Sequence, residues 1–164
     1  REAVTLPNRP PVACCRLPIP TEEAVTTGRC LCGAVTFSIS ADRITGRACW
    51  CRVCQYIGAG SATVNAIFPS ASVTVEGEMR DYVSTADSGS RMHRRFCPVF
   101  GTHLFSASES TPHLVVVRVG ALDNPQAFPP VGTIWTKSAP GWACFDPATP
   151  RIEGQPPPVT SSAV

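Results

Sequence analysis

Cys49-Trp50-Cys51-Arg52-Val53-Cys54 packs three thiols into six residues, and this spacing constrains the local fold more than any other segment. Residues two apart in a strand project to the same side, so Cys49 and Cys51 can face a common point. The Cys51-x-x-Cys54 step that follows is the short chelating turn that wraps a tetrahedral zinc. Three thiolates leave one zinc position for a ligand from outside, which separates a reactive metal from a structural one. Cys49, Cys51 and Cys54 are therefore the candidate reactive centre and metal ligands.

The other six cysteines stand at 14, 15, 30, 32, 97 and 144. An odd total of nine and the Cys-x-Cys and Cys-x-x-Cys groupings argue against a secreted disulfide scaffold. Arg1 to Pro20 shows no apolar signal-like stretch either. The expected compartment is thus a reducing cytoplasm, with the thiols serving metal. Hydrophobic residues make up 43% and charged residues 16% of the 164, which suits one globular domain with a real core. A net charge of +2 is too small to make nucleic acid the main partner, despite Arg91, Arg94 and Arg95. No apolar run reaches membrane-spanning length, so no membrane partner is expected, and nothing in the pattern specifies an oligomeric state.

Both ends read as tails, residues 1–27 rich in Pro and residues 148–164 rich in Pro and Ser, with Cys14-Cys15 as free thiols without a metal role. The body, residues 28–147, reads as short strands: 34–40, 62–68, 72–76, 81–84, 93–96, 103–106, 114–119 and 132–136. Glycines at 77, 89, 101 and 120 punctuate them, and only a single helical turn after Cys54 is expected. The fold class is mainly β, with metal at its corners.

A second same-face pair, Cys30 and Cys32, enters the first of these strands. Far along the chain, Phe96-Cys97-Pro98-Val99-Phe100-Gly101 follows a zinc-knuckle pattern except that Phe100 stands where its second Cys would be. Cys30, Cys32 and Cys97 are candidate ligands of a second metal that needs water or Cys144 to complete it. The alternative is that Phe100 fills the corner and leaves three buried thiols. His93, His103 and His113 lack metal spacing and read as strand residues.

In order, Gly28-Arg-Cys-Leu-Cys-Gly-Ala-Val35, Cys49 to Cys54, Gly60-Ser61, Phe96-Cys97 to Phe105, Gly120-Ala-Leu-Asp123 and Ile134-Trp135 with Gly141-Trp142 resemble the glutathione-dependent formaldehyde-activating enzymes and their centromere protein V relatives. The resemblance covers the body of the chain. It implies antiparallel sheets in a zinc-bearing β-tent, a structural zinc at Cys30, Cys32, Cys97 and residue 100, and a reactive zinc at Cys49, Cys51 and Cys54. It further implies a carbon–sulfur lyase joining glutathione to formaldehyde as S-hydroxymethylglutathione. Two departures stand out: Phe100 removes a structural ligand, and Trp50 occupies a place that many relatives give to His or a small polar residue.

Zinc depresses the pKa of a bound thiol, and three protein thiolates blunt its Lewis acidity, so the triad suits holding a thiolate better than polarising water. Glutathione is anionic and calls for cationic or amide anchors. Arg52 within the triad, Arg95 beside Cys97 and the backbone N–H groups of Gly60 and Ser61 are the candidates. Strand alternation sends Arg94 and Arg95 to opposite faces. Trp135 and Trp142 are expected either to wall the site or to sit in the core. The alternative to an enzyme is a non-catalytic carrier of glutathione or another small thiol.

Overall fold

The computed structural model describes residues 25–159; the expected N-terminal Pro-rich segment before residue 25, Cys14-Cys15 included, lies outside them, as do residues 160–164. Three strands, β1 (Thr26–Arg29), β2 (Thr36–Ile39) and β5 (Val73–Glu76), form a small antiparallel sheet in the order β1-β2-β5. A larger sheet of eight strands contains β3 (Thr45–Cys49), β4 (Thr63–Pro69), β6 (Arg80–Thr85), β7 (Arg91–Phe96), β8 (His103–Ser108), β9 (Leu114–Arg118), β10 (Thr133–Ile134) and β11 (Arg151–Ile152). Its order is β11-β10-β3-β4-β9-β8-β7-β6. One short helix, α1 (Arg52–Ile57), follows β3. The fold is mainly β, and no helix among the described residues is long and apolar enough to cross a membrane.

The sheets are not antiparallel throughout. β10 runs parallel to both β3 and β11, because it arrives by a long connection from β9 rather than by a hairpin. Within the segment expected as a C-terminal tail, Arg151 and Ile152 form β11 and pair with β10. The apolar runs set the core between the sheets: Val35, Phe37 and Ile39 meet Ala66, Phe68, Leu104, Phe105 and Val117. Phe37 and Phe105 join the two layers edge to face, with centroids 4.9 Å apart. Gly28 is required at the seam, since a Cβ there would lie 2.2 Å from the Phe37 ring and 2.5 Å from the Ala121 carbonyl. Arg29 and Thr27 bind the Asp123 carboxylate at 2.9 and 2.7 Å, closing the Gly-x-Leu-Asp turn against β1.

Neither cysteine pair lies within a strand. β1 ends before Cys30, and Cys30 and Cys32 occupy the turn to β2, while β3 stops at Cys49. The clustered cysteines thus sit where strands end.

Candidate metal centre and adjoining cavity

The sulfurs of Cys49, Cys51 and Cys54 all lie within 4.8 Å of one another. Strand alternation does not bring them together, contrary to the spacing argument, because Cys51 has already left the strand and caps α1. Cys49 is fixed between Thr63 of β4 and Ile134 of β10. The Trp50 N–H donates to the Ile134 carbonyl at 3.0 Å, turning the chain. Cys54 then enters the first helical turn, its N–H directed at Cys51 Sγ at 3.5 Å. Buried Gln55 braces the turn by donating to the Trp50 carbonyl at 2.7 Å and the Ser138 carbonyl at 2.8 Å. Trp50 is itself buried, edge-on to Trp142 and Phe145 at 6.0 Å, so it roofs the turn from behind. Trp142 is 68% exposed and outside the core, and Trp135 adopts a left-handed backbone with φ 59° beneath Lys137.

Arg118, the last residue of β9 and 8% exposed, supplies charge to the triad. Its Nη1 donates to Asn65 Oδ1 and to Thr63 Oγ1 at 3.4 Å, and its Nη2 to Ser106 Oγ at 2.7 Å. All three acceptors are neutral. Hydrogen bonds from Cys49 and Cys51 hold the Cys54 thiol well below its ordinary pKa, with Arg118 and Thr63 adding to the effect. The same hydrogen bonds and burial push Cys49 up.

The second cluster is built differently. Cys30 and Cys32 sulfurs are 3.3 Å apart, Cys32 and Cys97 3.6 Å, and Thr102 Oγ1 lies 3.2 Å from Cys30. The knuckle closes through Gly101 N–H to the Cys97 carbonyl at 2.9 Å, with Gly101 at φ 87°. That tight turn sends residues 98–100 outward, so Phe100 is 58% exposed and does not fill the corner. Cys32 is exposed too, leaving Cys30 and Cys97 as the buried thiols. Burial pushes the Cys30 thiol up, but hydrogen bonds from Thr102 and the neighbouring cysteines outweigh it and bring the pKa to about 7. Cys144 belongs to neither cluster and points its sulfur at the Trp142 carbonyl, 3.8 Å away.

A cavity of about 370 Å³ is lined by Gly58, Thr63, Phe100, Thr102, His103 and Arg118, among others. It thus borders the end of α1 on one side and the Cys97 knuckle on the other. The expected anchors lie elsewhere. Arg52 is exposed, hydrogen-bonded to Gln55 and stacked 5.2 Å over Tyr56. The Gly60 N–H is committed to the Gln55 carbonyl at 2.7 Å and the Ser61 N–H to the Gly58 carbonyl at 3.1 Å. Neither N–H is left for a ligand. Arg95 lines a different cavity of about 290 Å³ beside His93 and lies 3.9 Å from Asp81. Its neighbour Arg94 is buried and bonded to Ser84 Oγ at 2.6 Å, as alternation requires. Arg91 pairs with Glu109 at 3.1 Å, so carboxylates attend the basic run that alone suggested nucleic acid.

Sequence reasoning missed Arg118, Gln55, Thr63 and Thr102. One signal was present: a lone Arg inside Leu114-Val-Val-Val-Arg-Val119, where a buried charge demands partners.

The profile of the glutathione-dependent formaldehyde-activating enzyme family matches residues 25–138. A crystal structure of a Rhodobacter sphaeroides protein, determined as a structural-genomics target, is similar at 21% identity with a TM-score of 0.48, covering 59% of this chain and 87% of that one. No curated protein matches the chain.

Proposed function

The chain belongs to the glutathione-dependent formaldehyde-activating enzyme family, and on that premise we propose a zinc-dependent carbon–sulfur lyase centred on Cys49, Cys51 and Cys54. Its reaction forms or cleaves S-hydroxymethylglutathione or a similar adduct of a thiol and an aldehyde. The observation that carries this reading is the convergence of the three sulfurs within 4.8 Å. Bonds of about 2.3 Å at tetrahedral angles place zinc-bound sulfurs roughly 3.8 Å apart, so the triad fits the ion. When bound, zinc supplies the Lewis acidity that turns a coordinated thiol into a thiolate at neutral pH.

The protein's own residues do the rest. Cys49, Cys51 and Cys54 hold three positions, and Arg118 sets a fixed positive charge near the anionic sulfurs. Trp50 excludes water from the back of the turn. In the synthetic direction the thiol sulfur bonds to the aldehyde carbon, the carbonyl π bond breaks, and the thiol proton ends on the oxygen. Cleavage reverses each change. Holding both reactants at one point supplies rate without further chemistry. All seven described cysteines are free thiols, which suits a reducing cytoplasm.

Exchange between glutathione, formaldehyde and their adduct is measured at equilibrium by NMR. Zinc-loaded wild type is expected to accelerate it, and Cys54→Ser is not. Equal exchange in the two, with thiol binding intact in wild type, would replace the lyase by a thiol carrier.

A further inference from the structure

Among the described residues, two buried side-chain nitrogens have no hydrogen-bond partner: Arg118 Nε and His103 Nδ1. Both residues line the same cavity of about 370 Å³. Its size falls in the range of roughly 300–1,000 Å³ typical of small-molecule sites. An arginine Nε–H can only donate, and leaving it buried without an acceptor is costly. The Nη atoms of Arg118 are met by Asn65, Thr63 and Ser106, none of which carries a charge. No carboxylate balances this guanidinium among the described residues. Burial and the nearby charges of Arg118 and Arg94 favour neutral His103. A neutral imidazole is able to carry its one proton on Nδ1.

The cavity of about 290 Å³ is lined by His93 and Arg95. There His93 is already held by Asp81 at 2.6 Å and Glu109 at 3.3 Å, and Arg95 lies near Asp81. Its ionisable groups meet carboxylates, whereas Arg118 Nε and His103 Nδ1 beside the triad meet no acceptor. Thr63 lines the unsatisfied cavity and pairs in register with Cys49, so the space adjoins the reactive sulfurs.

We infer that this cavity is the acid-binding half of the thiol site, in which Arg118 Nε–H and His103 Nδ1–H hold a carboxylate of the thiol substrate while its sulfur reaches Cys49, Cys51 and Cys54. The inference rests on the thiol–aldehyde reading above and adds the selectivity of the site. Thiols carrying a carboxylate are preferred over those without one. Arg118 is held at both Nη atoms by hydrogen bonds to buried side chains, so it is a pre-oriented donor for a planar acid.

The test uses zinc-loaded full-length protein and three probes: glutathione, 2-mercaptoethanol, and γ-glutamyl-α-aminobutyryl-glycine, the tripeptide lacking sulfur. The arginine Nε–H region of ¹H–¹⁵N spectra is followed during titration. Glutathione and the sulfur-free tripeptide should both shift the Arg118 Nε–H of wild type, a measurement that needs no variant to fold. His103→Ala and Arg118→Lys should each lower the ratio of glutathione to 2-mercaptoethanol affinity by about tenfold, the worth of one charge-assisted hydrogen bond. Binding of the sulfur-free tripeptide without movement of that resonance overturns the inference. So does an unchanged ratio in both variants, and either result leaves thiol binding at the triad standing. Failure of wild type to bind any thiol would overturn the thiol reading, and the inference with it.

Discussion

Three thiols meet at two places in this molecule, and the surroundings set them apart. Cys30, Cys32 and Cys97 sit on two surface turns, with Cys32 exposed and the Thr102 hydroxyl as their nearest extra neighbour. Cys49, Cys51 and Cys54 lie at a strand-to-helix turn roofed by Trp50, braced by Gln55 and attended by the buried guanidinium of Arg118. Ligand count is the same; access, charge and bracing are not. A surface turn can hold an ion, but a braced and charged one can also hold a second reactant in a fixed relation to it.

The largest expected effect comes from breaking one cluster alone. Cys54→Ser should weaken zinc binding at the triad by more than about 100-fold, beyond the 10- to 100-fold cost of losing an outer-shell partner. Cys97→Ser should do the same only at the other cluster. Competition against a chromophoric chelator resolves the two steps, and loss of both steps from either substitution would show that the clusters are one unit. Next in size is Gln55→Leu, which strips donors from the Trp50 and Ser138 carbonyls. It should cost about 2–3 kcal/mol in urea unfolding, the penalty for buried acceptors left unmet. Zinc affinity should fall at the triad and not at Cys30, Cys32 and Cys97; an equal fall at both would remove the distinction in bracing.

The smallest effect separates thiol chemistry from the sheet edge. The His93 pKa is raised from 6.5, first by its hydrogen bond to Asp81 and then by Glu109. A folded-state pKa above the unfolded one stabilises fully below pH 6.5, and the contribution disappears as pH rises through the folded value. The melting temperature should therefore decline over that window in wild type and stay flatter in His93→Gln. A decline of the same size in the variant would move the pH sensitivity onto the cysteines.

How far the sequence shows all this depends on the range of the interactions. β2, β4, β5, β8 and β9 are legible because their apolar residues alternate or run together between glycines and prolines. β1 and β3 are not: Thr26-Thr-Gly-Arg29 and Thr45-Gly-Arg-Ala-Cys49 carry little apolar pattern and become strands by pairing with neighbours. β10 falls within the strand expected at 132–136, while the two-residue β11 exists only through a partner distant in sequence. The same division governs the site. Three sulfurs within six residues declare themselves locally, while Arg118 meets Thr63, Asn65 and Ser106 through a register across three strands. Gly60-Ser61 misled for a related reason, since only the folded turn reveals that both N–H groups point inward to Gln55 and Gly58. The alternative in which Phe100 fills the corner stays open in the sequence, which does not show which way a knuckle throws its tip.

Gln55 joins the turn that carries the triad to Ser138, 83 residues further along the chain. Native-state opening proceeds in contiguous cooperative units, and a buried side chain bonded to two backbones makes those backbones open together. The thiol cluster is therefore no local clasp that frays by itself. It shares the opening free energy of a stretch of chain that contributes no ligand to it, so a metal that stiffens the one slows hydrogen exchange in the other.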